Sequence, residues 1–301
     1  MSEVELRGEQ GIAHGKSKYL PNVKCKILWN IRYKHMKEIT NLLIEALHKS
    51  GNIIKQGINK QKKLSYKGEI DLLTVTDKLV EKTITKLIKK KFPGHFILAE
   101  ESGHKDAPWR VSTHKDEYKW IIDPLDGTTN FFHSFPHVCT SIAVEKNGMI
   151  IMGGVYDPIR DELFFAERNK GAFLNKKRIN VSRTRRLSQS LLITGFPYDR
   201  RRYAEYYLSF FRAFMMKCHG IRRAGSAALD FCYVACGRID GFWEFKLHPW
   251  DVAAGSLIVE EAGGRVTDFA GKKYTIYGTE TLASNGFIHN EMRRVIKNIL
   301  K

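Results

Sequence analysis

The chain contains no apolar run near the roughly 20 residues that a helical membrane span requires, so no membrane role is expected. Cysteine is sparse: five residues, odd in number and irregularly spaced. That pattern fits free thiols in a reducing compartment better than a disulfide framework. Cys232 and Cys236 stand at helical spacing and read as core packing rather than a metal pair. The first residues, Met1 to Arg7, carry neither the basic region nor the apolar stretch of a secretory signal, and the expected location is the cytoplasm. Acidic residues are outnumbered, 32 Asp and Glu against 50 Lys and Arg, for a net charge of +18. Such a surface attracts anions, from small phosphate esters to nucleic acid. The basic clusters are short, and no aromatic-interleaved RNA-binding pattern or Cys/His finger accompanies them. Nucleic acid stays open as a partner on charge alone.

What is present is an ordinary globular composition, 43% hydrophobic over 301 residues, enough for a large core. Residues 1–35 are polar and glycine-bearing and read as an N-terminal extension; residues 36–301 read as the body. Gly15-Lys16-Ser17 invites a phosphate-loop reading, but Gln10 stands where that loop needs its first glycine. From Met36 an apolar stripe at three- and four-residue spacing predicts a helix. A β-prone stretch then runs to Thr76-Asp77, which could cap a helix over 78–91. Phe96 to Ala99 reads as a buried strand ending at Glu100. Beyond Asn130 the period becomes two, and Asn147-Gly148 marks a hairpin, so an antiparallel meander is expected to Leu174. His133 and His137 flank Pro136 and read as loop residues, not a zinc pair. Gly225 to Gly237 predicts an apolar helix opening on small residues, and Pro249 opens another.

The stretch with the most chemistry is Trp120-Ile-Ile-Asp123-Pro-Leu-Asp126-Gly-Thr-Thr-Asn130. An apolar run ends in two carboxylates separated by a proline-bearing turn, followed by small residues and hydroxyls. Hard oxygens suit Mg²⁺, which commonly sits between carboxylates and a substrate phosphate. Small residues after a strand expose amide hydrogens to an anion. Further acidic residues, Asp77, Glu100 and Asp251, fall at strand ends or helix starts, where functional groups gather in layered α/β proteins. Carboxylates converging there would repel one another without cations, so a polynuclear metal site is the economical reading.

With these motifs in order the chain resembles the inositol monophosphatase family, Mg²⁺-dependent and lithium-sensitive phosphatases. The resemblance runs from about Met36 onward and rests on Trp120 to Phe131, on Pro249-Trp-Asp251 continuing to Gly264, on Ala99 to Ser102 and on Thr74 to Asp77. Lys67 to Asp71 and Ile193 to Tyr198 resemble bacterial-type members.

It implies an α+β fold, the layered α-β-α-β-α sandwich shared with fructose-1,6-bisphosphatase, and two or three Mg²⁺ ions per active site. Glu100, Asp123 and the Leu125 carbonyl would hold the first ion; Asp123, Asp126 and Asp251 the second. Thr128, oriented by Asp77, would position the attacking water, with Glu100 as a further catalytic group. The N–H groups of Gly127 and Thr128 would bind phosphate. Gly225, Ser226, Ala227, Glu244 and His248 would meet the substrate. The implied reaction is hydrolysis of inositol-1-phosphate, or another phosphorylated polyol or sugar, by direct attack of water in a homodimeric enzyme. Fructose-1,6-bisphosphate and a transcription-associated nucleic-acid role are the alternatives. Haloacid-dehalogenase phosphatases are disfavoured, because two residues rather than one separate Asp123 from Asp126. Two departures stand out: the first 35 residues lack a family counterpart, and Lys246 replaces a glycine of animal members.

Overall fold

The computed structural model describes residues 23–60, 64–66, 72–102 and 117–300. Most of the N-terminal extension and the Lys67 to Asp71 motif lie outside them. The chain divides into two units at Ile39/Thr40. Helix α1 (Val23–Gly57) begins well before the expected Met36, because the apolar residues around Trp29 continue the helical pattern. From Thr40 onward its apolar face lies on the larger sheet, with Leu43 and Leu47 against Gly154.

Strands β1 (Leu64–Tyr66) and β2 (Leu72–Thr74) form a short antiparallel pair. Helix α2 (Val75–Lys91) follows at once, and its cap is Thr74 rather than the expected Thr76 or Asp77. Asp77 occupies the third helical position and closes a capping box, its carboxylate accepting from the Thr74 N–H at 2.8 Å and from the Thr74 hydroxyl.

The larger sheet holds seven strands in chain order: β3 (Phe96–Ala99), β4 (Tyr118–Asp126), β5 (Cys139–Lys146), β6 (Met149–Asp157), β7 (Glu162–Glu167), β8 (Gly171–Leu174) and β9 (Lys177–Ile179). The β3–β4 pair is parallel and the rest is the expected antiparallel meander. A short helix, α3 (Thr128–Phe132), leaves β4. The smaller sheet runs β11-β10-β12-β14-β13, from β10 (Leu191–Thr194), β11 (Gly220–Arg222), β12 (Gly241–Phe245), β13 (Arg265–Thr267) and β14 (Glu280–Ser284). Between β10 and β11 comes α4 (Arg200–Met215), kinked at Tyr203. Helices α5 (Ala227–Ala235) and α6 (Pro249–Glu261) form the layer between the sheets, and α7 (His289–Ile299) closes the chain.

The order is therefore α-β-α-β-α, as the resemblance implies. Alternating strands with one face on each helical layer bury a continuous core. One cluster joins Ile121, Val155, Phe164, Phe231, Leu257 and Ile258 across the middle helices. A second lies under α4 and α7, built on Phe210, Phe214, Trp243 and Met292. The helices sit very close to the larger sheet: a Cβ on Gly153 would fall 2.9 Å from the Ala254 Cα, so only glycine permits this approach. Cys232 is fully buried, as expected of a packing residue. Among the described residues no helix is long and apolar enough to cross a membrane.

Candidate active site

The site forms where β3, β4 and β12 end and where α5 and α6 begin. Asp123 and Asp126 are three residues apart, a spacing that would send their side chains to opposite faces of a regular strand. The β4–β5 register shifts between them, and this irregularity lets both face one cleft. Asp123 Oδ1 accepts the Leu125 N–H at 3.0 Å, tightening the turn.

The cleft has a volume of about 370 Å³, and its lining includes Glu100, Asp123, Leu125, Asp126 and Asp251. Gly127, Thr128, Gly225, Ser226, Ala227, Glu244 and His248 line it as well. Every residue predicted for the site thus meets there except Asp77. Asp77 is fully buried and reaches the cleft lining only through a hydrogen bond: Thr128 Oγ1 lies 3.0 Å from Asp77 Oδ1 and 3.1 Å from the Leu125 carbonyl oxygen.

Burial and mutual repulsion raise the carboxyl pKa values. Asp251 is pushed well above the usual range by burial, then by Asp126 and Glu100, with the His248 N–H opposing at 2.7 Å. Asp126 is raised by burial against the Ser226 hydroxyl and the Ala228 N–H, each 2.7 Å from Oδ2. Burial also raises Asp77, opposed by Thr74 and Thr128. Glu244 is pushed up to about 8 by burial, with Arg223 opposing and Asp126 adding.

Among the described residues no three acidic, His or Cys side chains already converge on one point. The donor set is nevertheless the right chemical kind. Carboxylates plus a backbone carbonyl are the oxygen ligands Mg²⁺ takes, with waters completing the shell, and repulsion among them falls when a cation enters.

Ser226, expected against substrate, caps α5 and donates to Asp126. Four residues given no role from the sequence also shape the site. Ala228 supplies the second donor to Asp126. Asn130 binds the His137, Ala224 and Gly225 carbonyls, at 2.8, 2.8 and 3.3 Å, and so ties the turn after Asp126 to the start of α5. Gly195 leaves room for Glu244: a Cβ there would stand 2.0 Å from Glu244 Oε1. Arg223 sits at the cleft near Glu244. Asn130 was visible in the Gly-Thr-Thr-Asn step; the other three carry no local signal.

At the rim Lys246 adopts a left-handed backbone, φ 54°. Its Nζ lies 2.5 Å from Asp199 Oδ2 and 5.0 Å from the Tyr203 ring centre, and Tyr207 donates to the same aspartate at 2.8 Å.

Comparison with known proteins places the sequence and the fold. The sequence model of the inositol monophosphatase family matches residues 35–300. The Nus factor SuhB of Escherichia coli K12 is 44% identical over 238 residues, covering 78% of this chain and 87% of its own. The crystal structure of the extragenic suppressor protein suhB from Bartonella henselae superposes with a TM-score of 0.80 at 39% identity, covering 86% of this chain and 98% of the other. The inositol monophosphatase of Anabaena (Nostoc) sp. PCC 7120 gives 0.77 at 39% identity, covering 88% and 97%.

Proposed function

Since the chain belongs to the inositol monophosphatase family, a family of Mg²⁺-dependent phosphatases, we propose that it hydrolyses inositol-1-phosphate by direct attack of water. The observation that carries this reading is the Asp77–Thr128 hydrogen bond at the edge of a cleft lined by five carboxylates, Glu100, Asp123, Asp126, Glu244 and Asp251. Glu100, Asp123 and the Leu125 carbonyl would hold one Mg²⁺, and Asp123, Asp126 and Asp251 a second. When bound, such ions acidify an attacking water and neutralise phosphoryl charge.

The chain's own residues do the positioning. The N–H groups of Gly127 and Thr128 hold the phosphate oxygens. The Thr128 hydroxyl donates to Asp77 and accepts from the water, which fixes the water's line of approach. Burial makes Asp77 more basic than an exposed aspartate, so a proton leaving the water can pass through Thr128 Oγ1 to Asp77 Oδ1. Water oxygen bonds to phosphorus, the ester P–O bond breaks, the leaving alkoxide takes up a proton from solvent water to become the polyol hydroxyl, and Asp77 returns its proton to solvent. Glu244, whose carboxyl burial pushes up to about 8, can in its protonated form donate to one substrate hydroxyl and accept from another, with His248 beside it. Inhibition by Li⁺, a homodimeric state and a cytoplasmic location belong to the same proposal.

The decisive experiment is a panel of phosphate esters with and without Mg²⁺. Turnover of inositol-1-phosphate ahead of fructose-1,6-bisphosphate, and only with the metal, supports the proposal; the reverse order sinks it. A second reading, a transcription-associated binding role, is favoured by the name Nus factor carried by relatives and by the +18 charge. RNA retention that weakens steeply with salt supports that role, and no retention at low salt removes it.

A further inference from the structure

A second and larger hollow lies away from the catalytic cleft, between α7 and the segments flanking β13 and β14. Its volume is about 700 Å³, and Phe269, Ala270, Glu280, Asn290, Arg293, Arg294, Lys297 and Leu300 line it. Hollows of this size hold small organic ligands.

Helix α7 is sharply two-faced. Met292, Val295 and Ile296 are buried, while Asn290, Arg293, Arg294 and Lys297 recur at the spacing that puts side chains on one helix edge. This polar edge runs roughly 10 Å along the helix at 1.5 Å per residue. None of its three cations forms an ion pair with a described residue. Arg293 is half-buried across Gly271 and donates to the Ala270 carbonyl, and its Nε is buried with no hydrogen-bond partner. Among the described residues Arg294 donates to the Asn290 carbonyl alone, at 3.3 Å. Opposite stands one carboxylate, Glu280, whose Oε2 accepts the Phe269 N–H at 3.3 Å. Three cations against one anion, beside an apolar wall of Phe269, Ala270 and Leu300, suit a ligand with a multiply charged anionic end and an apolar body.

From this geometry we propose that the α7 hollow is a binding site for a nucleoside di- or triphosphate, its phosphates on Arg293, Arg294 and Lys297 and its base against the apolar wall. One aromatic contact and one strand pairing link the hollow to the catalytic cleft. Phe269 meets Phe245 edge-on, ring centres 5.0 Å apart at 85°, and Phe245 pairs with Glu280 across β12 and β14. Phe245 lies between Glu244 and Lys246 and itself lines the cleft. A nucleotide in the hollow therefore presses on the substrate rim, and its effect falls on KM more than on kcat.

Calorimetric titration of the full chain with ATP tests the site without relying on the catalytic reading. The variants are Asp123→Asn, which disables the cleft, and Arg294→Glu/Lys297→Glu, whose side chains are exposed. ATP is expected to bind the wild type and Asp123→Asn alike, to bind the double reversal at least tenfold more weakly, and to bind at least tenfold more tightly than inorganic triphosphate. Arg294→Ala/Lys297→Ala serves as the charge-removal control should the reversal lose its melting transition. The proposal is overturned by absence of ATP binding to the wild type. It is equally overturned by binding that disappears in Asp123→Asn but survives in the charge variants, or by triphosphate binding as tightly as ATP.

Discussion

Thr128 Oγ1 and Asp77 Oδ1 lie 3.0 Å apart although 51 residues separate them. The bond joins the first turn of α2 to the turn after β4, so a capping residue and a cleft residue form one unit. In the proposed reaction the hydroxyl both orients the water and relays its proton. Thr128→Ala should therefore lower kcat by about 10²–10⁴-fold, the range expected for a positioned proton-transfer group, with little change in KM. Steady-state kinetics beside a melting curve will check this; a kcat within fivefold of wild type in a folded variant refutes the role.

Asp123 is shared by both proposed ion sites, so its loss should be felt twice. Asp123→Asn is expected to abolish Mg²⁺-dependent turnover, and chelation of metal from the wild type should do the same. Turnover that survives either treatment removes the ligand assignment.

Gly195 holds space open for a buried carboxyl. An added methyl would stand 2.0 Å from Glu244 Oε1, so Gly195→Ala must displace that side chain or the β10 end. Overpacking of this kind costs about 1–3 kcal/mol. The expected signature is a lowered melting temperature with KM rising more than kcat falls. An unchanged KM means that Glu244 does not meet the substrate.

His289 is fully buried, with Thr267 Oγ1 and Ser284 Oγ each 2.9 Å from a ring nitrogen. Burial, then the nearby Arg265 and Arg293, pushes its pKa down to about 4. The folded protein thus binds this proton less readily than the unfolded chain, where histidine titrates near 6.5. The stabilisation is complete above that pH and is lost as pH falls toward 4. Linkage gives a loss of about 2 kcal/mol by pH 5. Urea curves for wild type and His289→Gln should show a stability gap that narrows by about that amount between pH 7 and 5. A pH-independent gap refutes the shift.

Much of this was legible in the sequence because the residues concerned are local. The alternation after Asn130, the apolar stripe of α1, and the Pro249 start of α6 each signal their element within a few residues. The proposed metal ligands fall at strand ends and helix starts for the same reason. What escaped depends on contacts between distant segments. Nothing near Gly195 announces that Glu244 will pack against it, and Ala228 becomes a donor only once α5 is set against β4. The cap of α2 was misplaced by two residues because Thr74 and Thr76 offer the same hydroxyl, and only the backbone decides between them. The Asp123/Asp126 pair was recognised, but the irregularity that turns both toward one side is a property of pairing with β5, which no single strand encodes.

Lys246 sets backbone relaxation against a fastened lip. A side chain in the left-handed region costs about 1–2 kcal/mol that glycine would not, and this chain accepts that cost at the lip of its cleft. In return the lysine fastens the β12–α6 turn to Asp199 and the aromatic face of α4. Drift toward glycine at this position would yield a more relaxed backbone and a looser lip. Both the strain and the fastening are thus confined to the lip, and neither reaches the carboxylates beneath it.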